Sequence, residues 1–280
     1  MKLDFTRFLK FSNSFLRVFA LIIFFAHPLF SSTQQSNKDI NLGPKVNKDT
    51  QWTGNQPVSK NLSILILAGH ADSQLIDGSG TPGEAVALQG KKPMKVDMSD
   101  ELFWNLLISK RIVKVGKRKG LNIDFYDPEV RTIINENDLR TNWSIGAKHA
   151  KQGGYPIEIH FDSYGEYGFG SGLIPPISKN INYVDESLGR VFGKYPIFFR
   201  GGLGAPRRQI RVLEIGKLEG DLEKHLRDLN TRENTIDLIA NKIVNCLVQG
   251  INQTQPFNQK LDNFDIFFPN FHHQTNPGVW

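Results

Sequence analysis

Four short apolar runs constrain the fold of this chain more than any other feature of its sequence. Each run spans six residues, contains at least two Ile or Leu residues, and is followed at once by Gly or Asp. The first run, SILILA, is almost entirely apolar, which is typical of a strand buried on both faces of a parallel sheet, whereas the other three include charged residues among their apolar ones. We therefore predict strands at residues 63–68, 121–126, 156–161 and 210–215.

Segments with helical features separate these strands. Ser99 is a suitable N-cap, Glu101 lies in the first turn after it, and Gly120 ends the pattern. Strands that alternate with helices predict an α/β fold, in which a mostly parallel twisted sheet is flanked by helices. A chain of 280 residues has room for one such domain, at residues 62–250, plus flanking segments. Further helices are predicted at residues 137–152, 184–192, 221–229 and 233–249.

The amino terminus has the pattern of an export signal. Four basic residues and one acidic residue fall within the first 17 positions, an apolar run follows at residues 18–26, and Ser31 and Ser32 come next. This order predicts that residues 1–32 are a signal peptide or an uncleaved membrane anchor, and both alternatives stay open. Either one places the rest of the chain outside the cytoplasm, in the periplasm or cell envelope.

The segments that flank the domain are polar and irregular. Residues 33–61 are rich in Asn, Gln, Lys, Gly and Pro without periodicity, which predicts a flexible linker, and residues 251–280 form an Asn- and Phe-rich C-terminal tail. The formal net charge of +6 suits an anionic partner such as a membrane or a cell-wall polymer. Nucleic acid is not expected as a partner, because the chain carries an export signal and no dense Lys/Arg stripe interleaved with aromatics.

Four side chains suited to metal-assisted hydrolysis fall near the ends of the predicted elements. His70 follows the first strand, while His160 and Glu214 lie late in the third and fourth strands. Glu101 opens the helix that follows the first loop. Because the carboxyl ends of parallel strands meet at one edge of a sheet, these side chains are expected to converge there. Two His and one Glu suit a hydrolytic Zn²⁺ with water in its fourth position, and another carboxylate can take a proton from that water.

Taken singly, the ligand candidates also have structural explanations. His70 would simply end a strand in a Gly-rich turn, His160 would be a core histidine, and Glu101 would favour the positive end of a helix dipole. The single cysteine, Cys246, excludes an intrachain disulfide and a cysteine-rich zinc site, so any zinc must be held by His and carboxylate.

Three further acidic residues have roles that stay open. Glu84 competes with Glu101 for the third ligand position, because it lies nearer to His70 along the chain. Glu158 shares a strand face with the second histidine, so it either orients that histidine from behind or forms an ion pair with an arginine such as Arg200 or Arg207. Asp162, just past the same strand, is a second candidate for such an orienting role.

Several stretches together resemble the zinc-dependent N-acetylmuramoyl-L-alanine amidases of bacteria. The stretch ILAGHADSQLIDGSG is similar to that family's first-strand motif, and ELFWN to its helix-opening Glu with Asn four residues later. The stretch RTNWSIGAKHA leading into EIHFD is similar to the family's next helix and strand, and VLEIGKLEG to its closing strand. The resemblance covers residues 63–249, with the motifs in the family's order.

The resemblance implies a single catalytic domain that binds one zinc ion through His70, Glu101 and His160. It further implies that Glu214 is the catalytic base, and that the amide between N-acetylmuramic acid and L-alanine is cleaved in peptidoglycan or a muropeptide. Two alternatives stay open: another zinc amidohydrolase or peptidase on the same scaffold, and a non-catalytic cell-envelope binding module.

The sequence also departs from the family's pattern. Asp162 stands where the family usually has Asn, and Lys217 where it usually has Phe. The loop between His70 and Glu101 is longer than usual, and the glycine-rich stretch SYGEYGFGSG and the stretch GGLGAPRRQIR are not typical. The last two stretches are expected to reshape the substrate groove.

Overall fold

The computed structural model describes residues 40–46, 52–178 and 181–257 of the chain. The predicted signal or anchor at residues 1–32 lies outside these residues, as does most of the predicted tail at residues 251–280. Both therefore stay predictions. Within the described part of the chain, no helix is long and apolar enough to cross a membrane.

A five-stranded sheet with the order β2-β1-β3-β5-β4 forms the centre of the domain. The four predicted strands are all present and pair in parallel, which confirms the α/β prediction. The fifth strand, β4, pairs antiparallel with β5 at one edge and was not predicted, because three residues of a glycine-rich stretch carry no periodic signal. The strands are β1 (Ile64–Ala68), β2 (Ile123–Tyr126), β3 (Tyr155–Asp162), β4 (Gly172–Ile174) and β5 (Arg211–Lys217).

The predicted helices are present, with shifts at their ends. The helix predicted from residue 137 begins only at Asn142, because the Thr141 side chain accepts a hydrogen bond from the Ser144 amide and so caps it there. Two short helices were not predicted: α1 lies in the loop after β1, and α5 lies in the stretch GGLGAPRRQIR. The helices are α1 (Gly83–Ala87), α2 (Asp100–Arg118), α3 (Asn142–Lys151), α4 (Tyr183–Phe192), α5 (Gly204–Arg207), α6 (Gly220–Arg227) and α7 (Arg232–Asn252).

Helices cover both faces of the sheet, so the central strands are buried. Because side chains alternate along a strand, Ile64 and Ile66 of β1 pack in one cluster with residues of α2, α4 and α7. Leu65 and Leu67 face the opposite way and pack with residues of α3 and α5. Cys246, on α7, is buried in the larger cluster. This double burial explains why β1, with the sequence ILILA, is continuously apolar.

Part of the predicted linker is packed structure. Leu42, Val46 and Trp52 are buried, and the Trp52 indole nitrogen donates a hydrogen bond of 2.7 Å to the Tyr195 carbonyl. The prediction of a flexible linker over residues 33–61 is therefore wrong for these described segments. Local composition could not reveal this, because the stabilising contacts reach residues far along the chain.

A buried ion pair joins α4 to the sheet. Asp185 accepts hydrogen bonds from Arg211 Nε at 2.9 Å and from the Tyr155 hydroxyl at 2.8 Å. The Arg211 guanidinium also lies 4.3 Å from the centroid of the Tyr155 ring. The Asp185 side chain is fully buried, so loss of one partner would leave the other charge uncompensated.

Replacing Asp185 with Ala is expected to lower the free energy of unfolding by about 3–5 kcal/mol, since Arg211 would remain buried without its counter-ion. Urea denaturation measures this change. Asp124→Ala is the matched control, because Asp124 pairs with Lys117 where both side chains are exposed and water screens their charges. Equal losses of stability in the two variants would contradict the proposed importance of the buried pair.

Candidate metal centre

The first histidine is positioned by a tight turn at the end of β1. His70 has a φ of 63°, in the left-handed region that few non-glycine residues adopt. Its Nδ1 atom lies 3.0 Å from the hydroxyl oxygen of Ser79. A Cβ added to Gly69, the preceding residue, would lie only 2.3 Å from Cε1 of His160. The Gly-His pair therefore aims one imidazole and makes room for the other.

Glu101 lies between the two imidazoles. It sits in the first turn of α2, and its side chain is only 3% exposed. One carboxylate oxygen, Oε2, accepts a hydrogen bond of 2.8 Å from the Thr81 amide. The other oxygen, Oε1, lies 3.4 Å from His70 Nε2 and 3.2 Å from His160 Nδ1. Burial opposes ionisation of Glu101, but the two histidines outweigh it and hold its pKa below the usual range.

The second histidine projects from the carboxyl end of β3. While His160 Nδ1 faces Glu101, its Nε2 lies 3.4 Å from Glu158 Oε2. Burial alone would lower the pKa of His160, but hydrogen bonds to Glu101 and Glu158 raise it well above its ordinary value. Each imidazole thus has one nitrogen directed to Glu101 and the other held by a second group. Metal-binding histidines are commonly oriented in this way.

The resulting donor set fits a divalent metal ion. One ligand atom from each of His70, Glu101 and His160 lies within 4.8 Å of the others. Two ligands bound at about 2.1 Å to a tetrahedral ion are about 3.4 Å apart, which is close to both histidine–Glu101 distances. Two imidazoles and one carboxylate are also the ligand types that hydrolytic zinc prefers. The arrangement can therefore accept a metal and leave a coordination position for water.

A fourth functional group lies on the neighbouring strand. Glu214 of β5 is directly opposite His160 in the parallel register. Its Oε2 atom is buried and makes no hydrogen bond to any residue that the structure describes. Burial raises the pKa of Glu214 to about 8; Asp162 and Glu101 add to the increase, while His160 and Arg200 oppose it. A carboxylate with such a pKa suits proton transfer near neutral pH.

The structure separates Glu84 from Glu101, the two candidates for the third ligand position. Glu84 lies in α1, where its Oε2 accepts a hydrogen bond of 2.8 Å from the Gly220 amide. It does not belong to the group of potential ligands that contains Glu101. Of the two, only Glu101 therefore lies with His70 and His160 in that group.

The other two acidic candidates occupy different positions. Glu158 lies behind His160, and the described residues show no ion pair between Glu158 and either Arg200 or Arg207. Asp162 instead accepts hydrogen bonds from the Phe169 and Gly170 amides, and so organises the glycine-rich stretch.

Sequence reasoning missed the groups that orient Glu101 and His70. Ser79 and Thr81 both lie in the long loop after β1, and neither has a motif around it that points to this role. Asn105, which the family resemblance had singled out, lies one helical turn after Glu101 and donates a 3.2 Å hydrogen bond to the Gly69 carbonyl. Only the three-dimensional course of the loop reveals these contacts.

Comparisons with known proteins give structural likenesses alone. No protein-family model matches the chain, and no curated protein matches it either. Its fold is similar to the catalytic domain of CwlV, an N-acetylmuramoyl-L-alanine amidase from Bacillus (Paenibacillus) polymyxa var. colistinus, with a TM-score of 0.45 and 14% identity over 66% of this chain and 96% of that one. It is also similar to an N-acetylmuramoyl-L-alanine amidase from Clostridium difficile 630, with a TM-score of 0.44 and 12% identity over 67% and 96% of the two chains. A third is Ami1, an N-acetylmuramyl-L-alanine amidase from Mycobacterium smegmatis, with a TM-score of 0.43 and 12% identity over 69% and 99%. Because the sequence identities and TM-scores are this low, functional inference rests on the arrangement of the residues.

Replacing Gly69 with Ala is expected to displace the His160 ring and to weaken zinc binding by at least about tenfold, since the new Cβ would overlap that ring. Competition with a chromogenic chelator measures the affinity. Gly153→Ala is the control, because a Cβ there meets open space and only the backbone, at a φ of +82°, is strained. Unchanged zinc affinity in the Gly69 variant would show that this close approach is unimportant.

Proposed function

We propose that this chain is an exported zinc-dependent amidase that hydrolyses the bond between N-acetylmuramic acid and L-alanine in peptidoglycan or a muropeptide. In this proposal one zinc ion is held by His70, Glu101 and His160. The observation that carries it is the convergence of these three side chains, with Glu214 on the adjacent strand. The family resemblance supports the choice of substrate, because its motifs supply these four residues in the expected order.

Each residue of the site has a distinct task in this reaction. When bound, zinc would polarise the scissile carbonyl and lower the pKa of a coordinated water to about 7. Glu214 takes the proton of the attacking water and returns it to the leaving amine. A nearby cation would lower the raised pKa of Glu214, so the carboxylate would be ionised and able to accept this proton near neutral pH. Ser79 and Glu158 hold the two imidazoles in orientation.

The location of the enzyme follows from the sequence features outside the catalytic domain. Residues 1–32 would direct export to the periplasm or cell envelope, either as a cleaved signal or as an anchor that tethers the domain to the membrane. The net charge of +6 favours retention near anionic wall polymers. Residues 62–250 would form the catalytic domain, with the packed segments before β1 as part of it.

Replacing His70 or His160 with Ala is expected to reduce bound zinc from one ion per chain to a small fraction of that value, because only two protein ligands would remain. Elemental analysis of the purified protein measures the zinc content. His225→Ala is the matched control, since His225 is an exposed residue of α6 outside the ligand group. Full zinc content in the His160 variant would contradict the proposed metal centre.

Replacing Glu214 with Gln is expected to leave zinc bound and to lower kcat by about 10²–10⁴-fold, because Gln cannot accept the proton of the attacking water. Turnover of a purified muropeptide measures kcat, and Glu129→Gln on the exposed surface is the control. Retained turnover in the Glu214 variant would remove this residue from the mechanism.

The products of the wild-type protein distinguish the proposed amidase from the alternatives. An amidase releases new L-alanine amino termini from muropeptides, whereas a peptidase releases amino termini of later residues. A binding module would release neither.

A further inference from the structure

Two segments that precede β4 and β5 meet in a largely exposed surface that contacts the end of β3, the strand that carries His160. We call the surface formed by Tyr167, Phe169, Phe199 and Arg200 the arginine–aromatic ledge. The Phe169 and Phe199 rings contact edge to face, with centroids 5.3 Å apart. The Arg200 guanidinium lies 5.3 Å from the first ring centroid and 5.1 Å from the second. These cation–π contacts position a long, exposed side chain that would otherwise sample many rotamers.

The backbone beneath the ledge is held in an uncommon conformation. Arg200 has a φ of 50°, and Gly201 and Gly202 after it also have positive φ. Arg207 donates hydrogen bonds of 3.1 Å to the carbonyls of both glycines and so fixes the turn. A left-handed conformation at an arginine is unfavourable, and strained residues of this kind concentrate at functional sites. The turn therefore presents Arg200 at a defined place.

No acidic side chain in the described part of the chain neutralises the positive charge of Arg200. Among the described residues Arg200 forms no ion pair, and its one polar contact is a 3.5 Å hydrogen bond to the Tyr167 carbonyl. Its charge nevertheless opposes the increase that burial causes in the pKa values of Glu214 and Tyr195. Arg200 is thus within electrostatic reach of the site while its guanidinium keeps donors for another partner.

The ledge is tied to the strand that carries His160. Asp162, at the end of β3, accepts hydrogen bonds from the Phe169 amide and from the Tyr195 hydroxyl. Tyr195 in turn packs edge to face on Phe199, with ring centroids 4.6 Å apart. A ligand held at the ledge is therefore held in a fixed relation to the metal centre.

We propose that Arg200 is a specificity-determining residue that binds a carboxylate on the peptide side of the scissile amide. This inference rests on the proposed function for its choice of ligand. In that substrate the lactyl carboxyl group forms the scissile amide, and the N-acetylated sugars are uncharged. Its carboxylates therefore lie on the peptide portion. A planar guanidinium can bind a carboxylate through two parallel hydrogen bonds, and the aromatic rings hold it ready to do so.

The test is an NMR titration of the zinc-loaded protein with L-alanyl-D-glutamate and with the same dipeptide in which both carboxylates are converted to amides. The wild-type protein is expected to bind the acid about tenfold or more tightly than the amide. Arg200→Ala is expected to remove this preference and to leave the affinity for the amide unchanged. Arg200→Lys, which keeps the charge but not the planar fork, is expected to retain part of the preference.

Arg118→Ala is the charge-matched control. Arg118 is an exposed residue in the last turn of α2, about 26 Å along the helix from Glu101, and its loss is expected to change neither affinity. A preference for the acid that survives in Arg200→Ala would overturn the inference, because the carboxylates would then bind elsewhere, for example at the metal. The absence of any preference for the acid in the wild-type protein would also overturn the inference.

Turnover of a muropeptide by the wild-type protein is measured in parallel. An Arg200-dependent preference without turnover would support the inference and contradict the proposed amidase activity. Turnover without that preference would support the proposed amidase activity and contradict the inference about Arg200.

Discussion

The parallel pairing of β1, β3 and β5 is the constraint on which the site depends. It sets Ala68 beside Ile159 and His160 beside Glu214, so the residues that follow β1 and those that end β3 and β5 share one edge. Register in a sheet buried on both faces is strongly specified, because a slip by one residue would exchange the faces of every side chain. The hydrophobic core therefore fixes the spacing of groups that are themselves polar. Close approach at Gly69 then brings the two imidazoles together.

Electrostatics provides a separate argument that this edge binds a cation. Glu101, Glu158 and Glu214 gather around two imidazoles in largely buried positions. Carboxylates placed this close together oppose one another's ionisation, and the raised pKa of Glu214 is the visible result of burial and of that repulsion. Buried charges are tolerated when they are paired or bind metal. A divalent ion between the histidines and Glu101 would compensate the excess of negative charge, and this is the physical reason to favour a metal centre over a purely structural cluster.

The sequence predicted the sheet well because its signal is local. Six-residue apolar runs and the Ser99 cap each report on their own neighbourhood, and the structure contains those strands and that helix. The sequence also predicted the convergence of the ligand candidates, because the carboxyl ends of parallel strands lie at the same edge of the sheet. It missed β4, the packing of Trp52 and the role of Ser79, because each of these depends on contacts with residues far along the chain. The periodicity of a helix or strand can be read from adjacent residues. Contacts with distant parts of the chain cannot.

The long loop between His70 and Glu101 illustrates how such distant contacts serve the site. A loop of this length is costly to order, yet contacts with α6 hold it: Glu223 accepts a hydrogen bond from the Ala85 amide, and Arg227 donates one to the Lys92 carbonyl. The same loop supplies the Ser79 hydroxyl beside His70 and the Thr81 amide that binds Glu101. The extra length of the loop therefore does not make the candidate metal centre less ordered. The loop contributes orienting groups to the candidate site. Its Glu84, although nearer to His70 along the chain, is bound to the Gly220 amide, and Glu101 of α2 lies between the two histidines instead.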